Sequence, residues 1–145
     1  QVVDIRSGVG APNVTPGELS ARFNFRYSTE WTHETLAAKV TELFDSFDIE
    51  YEIRWHLSGE PFLTAPGKLS EAVVGAVTSV TGSAPELSTG GGTSDGRFIS
   101  PAGIDVVELG PVNASIHKID EHVLLDDVPK LTRMYKGILE RLLLP

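Results

Sequence analysis

The sequence predicts an α/β chain in two parts, and three observations carry that prediction. Residues 19–28 and 49–57 alternate apolar and polar side chains with a period of two, as half-buried strands do. Residues 36–47, 68–80 and 128–143 repeat apolar side chains at helical spacing. A break at Ser58-Gly59-Glu60-Pro61 separates a strand-strand-helix-strand order (1–58) from an alternating α-β-α-β-α order (59–145). The alternating second part suggests a portion of a layered α/β domain.

Taken in order, QVVDIRS (1–7) reads as a short strand, and GVGAPNVTPGE (8–18) as a loop rich in turn-forming residues. In 19–28, Ala21, Phe23, Phe25 and Tyr27 face one way and Arg22, Asn24 and Arg26 the other. Thr32 is placed to cap a helix, with Glu34 favourable in its first turn. Leu36, Ala37, Val40, Leu43, Phe44 and Phe47 mark that helix's apolar face. Alternation returns with Ile49, Tyr51, Ile53, Trp55 and Leu57. Beyond the break, Leu69, Val73, Val74, Ala76, Val77 and Val80 form an inward helical face; 85–88 reads as a short strand, 94–100 as a short helix and IDVVEL (104–109) as a buried strand. Asp126 or Asp127 is placed to cap the last helix, with Pro129 acceptable in its first turn. The stripe of that helix is Val128, Leu131, Met134, Tyr135, Ile138, Leu139, Leu142 and Leu143.

Composition narrows the function classes. A net charge of −8 argues against a nucleic-acid partner, because phosphate binding needs a basic face. The acidic excess is no tail, since residues 1–60 and 61–145 each hold ten Asp or Glu. Without cysteine there is neither a disulfide framework nor a thiolate metal site, which fits a reducing cytoplasm. No signal-peptide pattern and no apolar run near the ~18–20 residues of a membrane helix is present, so no membrane partner is expected. The first residue is Gln and the chain opens directly in a strand pattern, so a cut from a longer chain is expected.

Chemistry concentrates in residues 90–122. Glycines ahead of a helix start let backbone N–H groups approach an anion, and Arg97 adds a planar fork suited to carboxylate. A flexible turn capped by Thr93 or Asp95 is the plainer alternative. The stretch is not a phosphate loop or a dinucleotide fingerprint, since neither the Lys-Ser/Thr nor the GxGxxG spacing is present. Of the four histidines, His33 is expected in an exposed first helical turn and His56 on a solvent-facing strand face. No HExxH or HxD pair accompanies His117, so these residues alone make no complete zinc site, which needs about three protein ligands. Arg22, Asn24 and Arg26 form either a solvated strand face or a grip for a dicarboxylate. Trp31 and Trp55 read as packing residues.

Four stretches carry a family resemblance: NVTPGEL (13–19) with FNFRYST (23–29), LSGEPFLT (57–64), GGTSDGRF (91–98) and ELGPVNASIHKIDE (108–121). Together they resemble the C-terminal portion of the succinyl-diaminopimelate desuccinylase family of two-zinc amidohydrolases. The resemblance implies part of a ferredoxin-like lid, or dimerisation, domain over 1–58 and the C-terminal part of a zinc-peptidase-like α/β catalytic domain over 59–145. It implies His117 as a zinc ligand, cobalt being an alternative metal. It places Asn13, Arg26, Gly92, Thr93, Ser94, Arg97 and Asn113 at substrate-binding positions, with the lid residues Asn13 and Arg26 reaching the substrate from the neighbouring subunit. The implied reaction is hydrolysis of N-succinyl-LL-2,6-diaminopimelate, a substrate rich in carboxylates, by a cytoplasmic homodimer joined through the lid. The remaining metal ligands and the catalytic glutamate belong upstream of Gln1, so the chain alone is expected to be inactive and to assign none of its own residues a catalytic role. A sister deacylase such as an acetylornithine deacetylase, or a non-catalytic dimerisation module, are the alternatives. Unpaired strand edges in the first part are expected to favour self-association.

Overall fold

The computed structural model describes residues 1–92 and 94–144. Its elements are β1 (Val2–Ser7), β2 (Leu19–Phe23), α1 (His33–Asp45), α2 (Lys68–Thr81), α3 (Gly96–Ile99), a 3₁₀ turn (Ser100–Ala102) and α4 (Asp127–Leu143). The architecture is therefore mixed α/β, with a two-stranded sheet and four α-helices among the described residues.

β1 and β2 pair antiparallel, Ile5 opposite Ala21 and Ser7 opposite Leu19, with an irregularity between Val2 and Asp4. The Gln1 ammonium donates to Asn24 O and the Asn24 amide to Gln1 O, both at 2.9 Å, which carries the pairing one step past the strands. Gly8 and Gly10, at φ of 72° and 78°, supply the left-handed turns that start the connection. β2 stops at Phe23, short of the strand expected over 19–28.

α1 begins as its sequence predicts. The Thr32 hydroxyl accepts from the Thr35 amide at 3.2 Å while the Thr35 hydroxyl accepts from the Thr32 amide at 2.9 Å. The chain then returns along the helix: Phe44 and Tyr51 have centroids 5.1 Å apart, and the Tyr51 hydroxyl donates to Asp45 Oδ1 at 2.5 Å. Residues 49–57, expected as a half-buried strand, form no ladder, and of their apolar side chains only Ile53 is half-buried while Ile49, Tyr51, Trp55 and Leu57 are exposed; aromatic contacts engage the stretch instead. Trp55 stacks on Phe25 at 6.3 Å and meets the His33 ring edge-on at 6.0 Å. His33 is thus half-buried against Trp55 rather than exposed. His56 is exposed, as expected.

The core lies between α2 and α4. Ala72, Val73, Ala76 and Val77 are buried against Met134 and Ile138, with Ala76 only 1% exposed. Small residues bring the helices close: a Cβ on Gly137 would lie 3.4 Å from Ala76 Cβ. Arg141 then latches the pair, donating to Gly75 O at 3.3 Å and Ser79 Oγ at 3.0 Å across the interface. Gly82, at φ 79°, ends α2 with its amide on Thr78 O at 2.9 Å. Asp126 occupies the N-cap position of α4, but its side chain makes no cap bond, and Asp127 instead pairs with Lys130 at 3.0 Å.

The stretches 85–88 and 104–109, expected as strands, also lack a ladder. A strand exists only against a neighbour, and residues 104–109 are held by other means. The Thr64 hydroxyl donates to Val106 O at 2.5 Å and accepts from its amide at 3.3 Å. Val107 and Leu109 pack on the α2–α4 core, and the Tyr135 hydroxyl donates to Leu109 O at 2.5 Å. No helix among the described residues is long and apolar enough to cross a membrane.

Candidate functional site

An open cleft of ≈ 1260 Å³ runs where the chain leaves β2, passes the 58–64 crossing and meets the glycine loop. Arg26, Gly92, Ser94 and Arg97, four of the residues singled out from sequence, line it together. They come from segments some seventy residues apart, so the fold, not local sequence, assembles them. Asn13, Asn113 and His117 are not among the lining residues. Thr93 lies outside the described residues.

Arg97 sits in the first turn of α3 with its guanidinium 4.7 Å above the Phe98 ring. Gly59 makes that placement possible, because a Cβ there would stand 2.5 Å from Arg97 Cδ. The Nε–H of Arg97 is buried without a hydrogen-bond partner, and Arg97 makes no ion pair among the described residues. An orphaned guanidinium donor beside an open cleft suits an incoming carboxylate.

The Tyr27 hydroxyl is a second buried polar atom without a partner, and Tyr27 also lines the cleft. Burial holds its ionisation above the ordinary tyrosine value, and the nearby carboxylates of Glu60 and Glu34 push the same way. Sequence alternation placed Tyr27 opposite Arg26. The strand ends at Phe23, so alternation no longer governs 24–28, and both side chains reach the cleft.

Ser94 is committed within the loop. Its hydroxyl donates to Glu108 Oε1 and accepts from the Gly96 amide at 3.1 Å. Gly96 is buried where a Cβ would meet Val106 Cγ1 at 2.8 Å and Phe62 Cζ at 3.0 Å. Glu108, Tyr27 and Gly59 were not singled out from sequence. Glu108 had one available signal, an acid inside the otherwise apolar VVEL run.

His117 occupies a different place. It is exposed in the turn-rich 114–122 stretch, with φ of 60°, and Asp120 has φ of 61°. The Ser115 hydroxyl closes this stretch, donating to His122 O at 2.7 Å and accepting from the His122 amide at 3.1 Å. His122 Nδ1 lies 2.8 Å from Asp120 O. Among the described residues no three His, Asp or Glu side chains converge as a metal site requires. One exposed imidazole does not amount to a zinc centre, so the residues described here do not by themselves fit a bound metal pair.

The match to the Peptidase family M20/M25/M40 covers residues 4–141, and the chain belongs to that family. Within it, the chain is 57% identical over 143 residues to the succinyl-diaminopimelate desuccinylase of Pseudoalteromonas atlantica, covering 99% of this chain and 38% of that protein. It is also 57% identical, with the same coverage, to the succinyl-diaminopimelate desuccinylase of Thioalkalivibrio sulfidiphilus. Identity is 54% to succinyl-diaminopimelate desuccinylase 2 of Alteromonas mediterranea. The chain thus spans 38% of the length of these curated relatives.

Proposed function

We propose that the chain is the substrate-gripping portion of a succinyl-diaminopimelate desuccinylase, which hydrolyses N-succinyl-LL-2,6-diaminopimelate to succinate and LL-2,6-diaminopimelate. The observation that carries this reading is the 57% identity to relatives of that name over 99% of the chain. The cleft supports it, because Arg26 and Arg97 meet there and the substrate is rich in carboxylates. Residues 1–58 act as part of a lid and dimerisation domain with a ferredoxin-like plan, and 59–145 as part of the catalytic domain. The whole enzyme works as a cytoplasmic homodimer and depends on two zinc ions, cobalt being an alternative, with His117 as one ligand.

Beside the His117 ligand, this chain contributes substrate recognition. Arg26 and Arg97 take substrate carboxylates, and Gly92 allows close approach of backbone to the ligand, since no atom lies within 4 Å of where its Cβ would be. Ser94 as a hydrogen-bond acceptor, Thr93 and Asn113, with Asn13 from the neighbouring subunit, complete the proposed set of substrate contacts.

The test is a chimera that joins the preceding portion of the P. atlantica relative to this chain. Zinc-dependent release of succinate is expected, with Arg97→Lys raising KM and leaving metal content unchanged. A folded, zinc-loaded chimera that does not cleave the substrate would refute the proposal. Faster turnover of N-acetylornithine would favour a sister deacylase instead.

A further inference from the structure

We propose that Glu108 is a positioning residue that sets the glycine loop for ligand capture through a clasp with Ser94, an inference that rests on the functional reading above. A serine hydroxyl has one proton to give. In Ser94 that proton goes to Glu108 Oε1, while the same oxygen accepts the Gly96 amide. The Ser94 side chain therefore has no proton left for a ligand, and its role is to tie the two ends of the turn together. The other carboxylate oxygen reaches the opposite side of the loop, lying 3.7 Å from where a Cβ on Gly91 would stand. The carboxylate thus bonds Ser94 and lies near Gly91.

The backbone on either side of Glu108 is anchored. Two residues earlier, Val106 is held on both backbone groups by the Thr64 hydroxyl, and one residue later the Leu109 carbonyl is held by Tyr135. Glu108 thereby transmits the position of the α2–α4 core to the loop that carries Gly92 and leads into Arg97. Glu108 lines the cleft together with Glu30 and Glu60, and its carboxylate accepts the hydroxyl of the loop's Ser94.

The experiment compares Glu108→Ala, Glu108→Gln, Ser94→Ala and the double variant Ser94→Ala/Glu108→Ala. In the chimera, Glu108→Ala and Ser94→Ala each lower kcat/KM by about 10- to 100-fold, mainly through KM, because misplaced contacts carry costs of that order. The double variant loses no more than Ser94→Ala alone, since that change already removes the shared interaction along with the Gly96 contact. Glu108→Gln keeps an acceptor for the Ser94 hydroxyl and restores most of the loss. Equal loss in Gln and Ala, or additive loss in the double variant, would overturn the clasp and assign Glu108 a direct charge role.

Amide exchange in the 145-residue chain provides a readout independent of turnover. Glu108→Ala speeds exchange at Gly96, whose amide donates to Ser94 Oγ, and leaves α2 unchanged, whereas Glu108→Gln does not. Exchange unaffected by Glu108→Ala, or already at the unstructured rate in the parent chain, also overturns the proposal. A parent chimera that fails to cleave substrate refutes the desuccinylase reading alone, and the exchange result still decides the clasp.

Discussion

Gly59→Ala is a sharp probe of the cleft, because it reaches Arg97 without changing a polar group. The new Cβ would lie 2.5 Å from Arg97 Cδ, 3.1 Å from Cγ and 3.3 Å from Cβ. Carbon atoms rest at about 3.5–4.0 Å, so the arginine stem must retreat by roughly 1 Å. No hydrogen bond among the described residues holds Nε against that movement, and the guanidinium can slide over the Phe98 ring. Fold stability therefore changes by no more than about 1 kcal/mol. Ligand capture suffers far more, since a displacement near 1 Å can cost on the order of 100-fold, or about 2.7 kcal/mol. Steady-state kinetics of the chimera, with melting temperature as the control, measure both quantities. The reasoning fails if kcat/KM stays within about twofold of the parent, or if unfolding accounts for the whole loss.

Three further outcomes are expected. Gly96→Ala overpacks the site between Val106 and Phe62 and should destabilise the chain by about 1–3 kcal/mol in urea titration; a change under about 0.5 kcal/mol would show that the loop shifts freely. Thr32→Ala removes the α1 cap and should cost about 1 kcal/mol, whereas Thr32→Ser should restore most of it, both read from thermal melts. Tyr27 has a raised folded-state pKa, so its contribution to stability is full below the ordinary tyrosine value of 10.0 and is lost as pH rises through the folded value. Tyr27→Phe should flatten that alkaline loss in denaturation midpoints taken across the range; an unchanged pH profile would assign the loss elsewhere.

Helices were largely legible in the sequence because each carries its own hydrogen bonds. The stripe of α4 and the Thr32 cap are written locally, and the structure places them where periodicity does. Strands were less legible, since alternation gives a strand its two faces but says nothing of its partner. Residues 49–57 and 104–109 make aromatic and hydroxyl contacts in place of ladders. The cleft was legible through Arg26, Gly92, Ser94 and Arg97. It was illegible at Tyr27, where the early end of β2 cancels the alternation rule, and at Gly59, whose value lies in what it leaves out. His33 was misplaced because only the fold brings Trp55 to it.

The latch between α2 and α4 also sets a chain-closure cost. The β1–β2 connection spans 8–18, whereas the segment between the two helices spans 82–126 and must be looped before Arg141 can reach Gly75 and Ser79. Closing the longer loop costs about 1.2 kcal/mol more in chain entropy, on logarithmic scaling of cost with length. Everything from the glycine loop to His117 lies within that longer loop. Part of the cleft wall therefore belongs to a segment whose two ends are held together by a contact formed far from it.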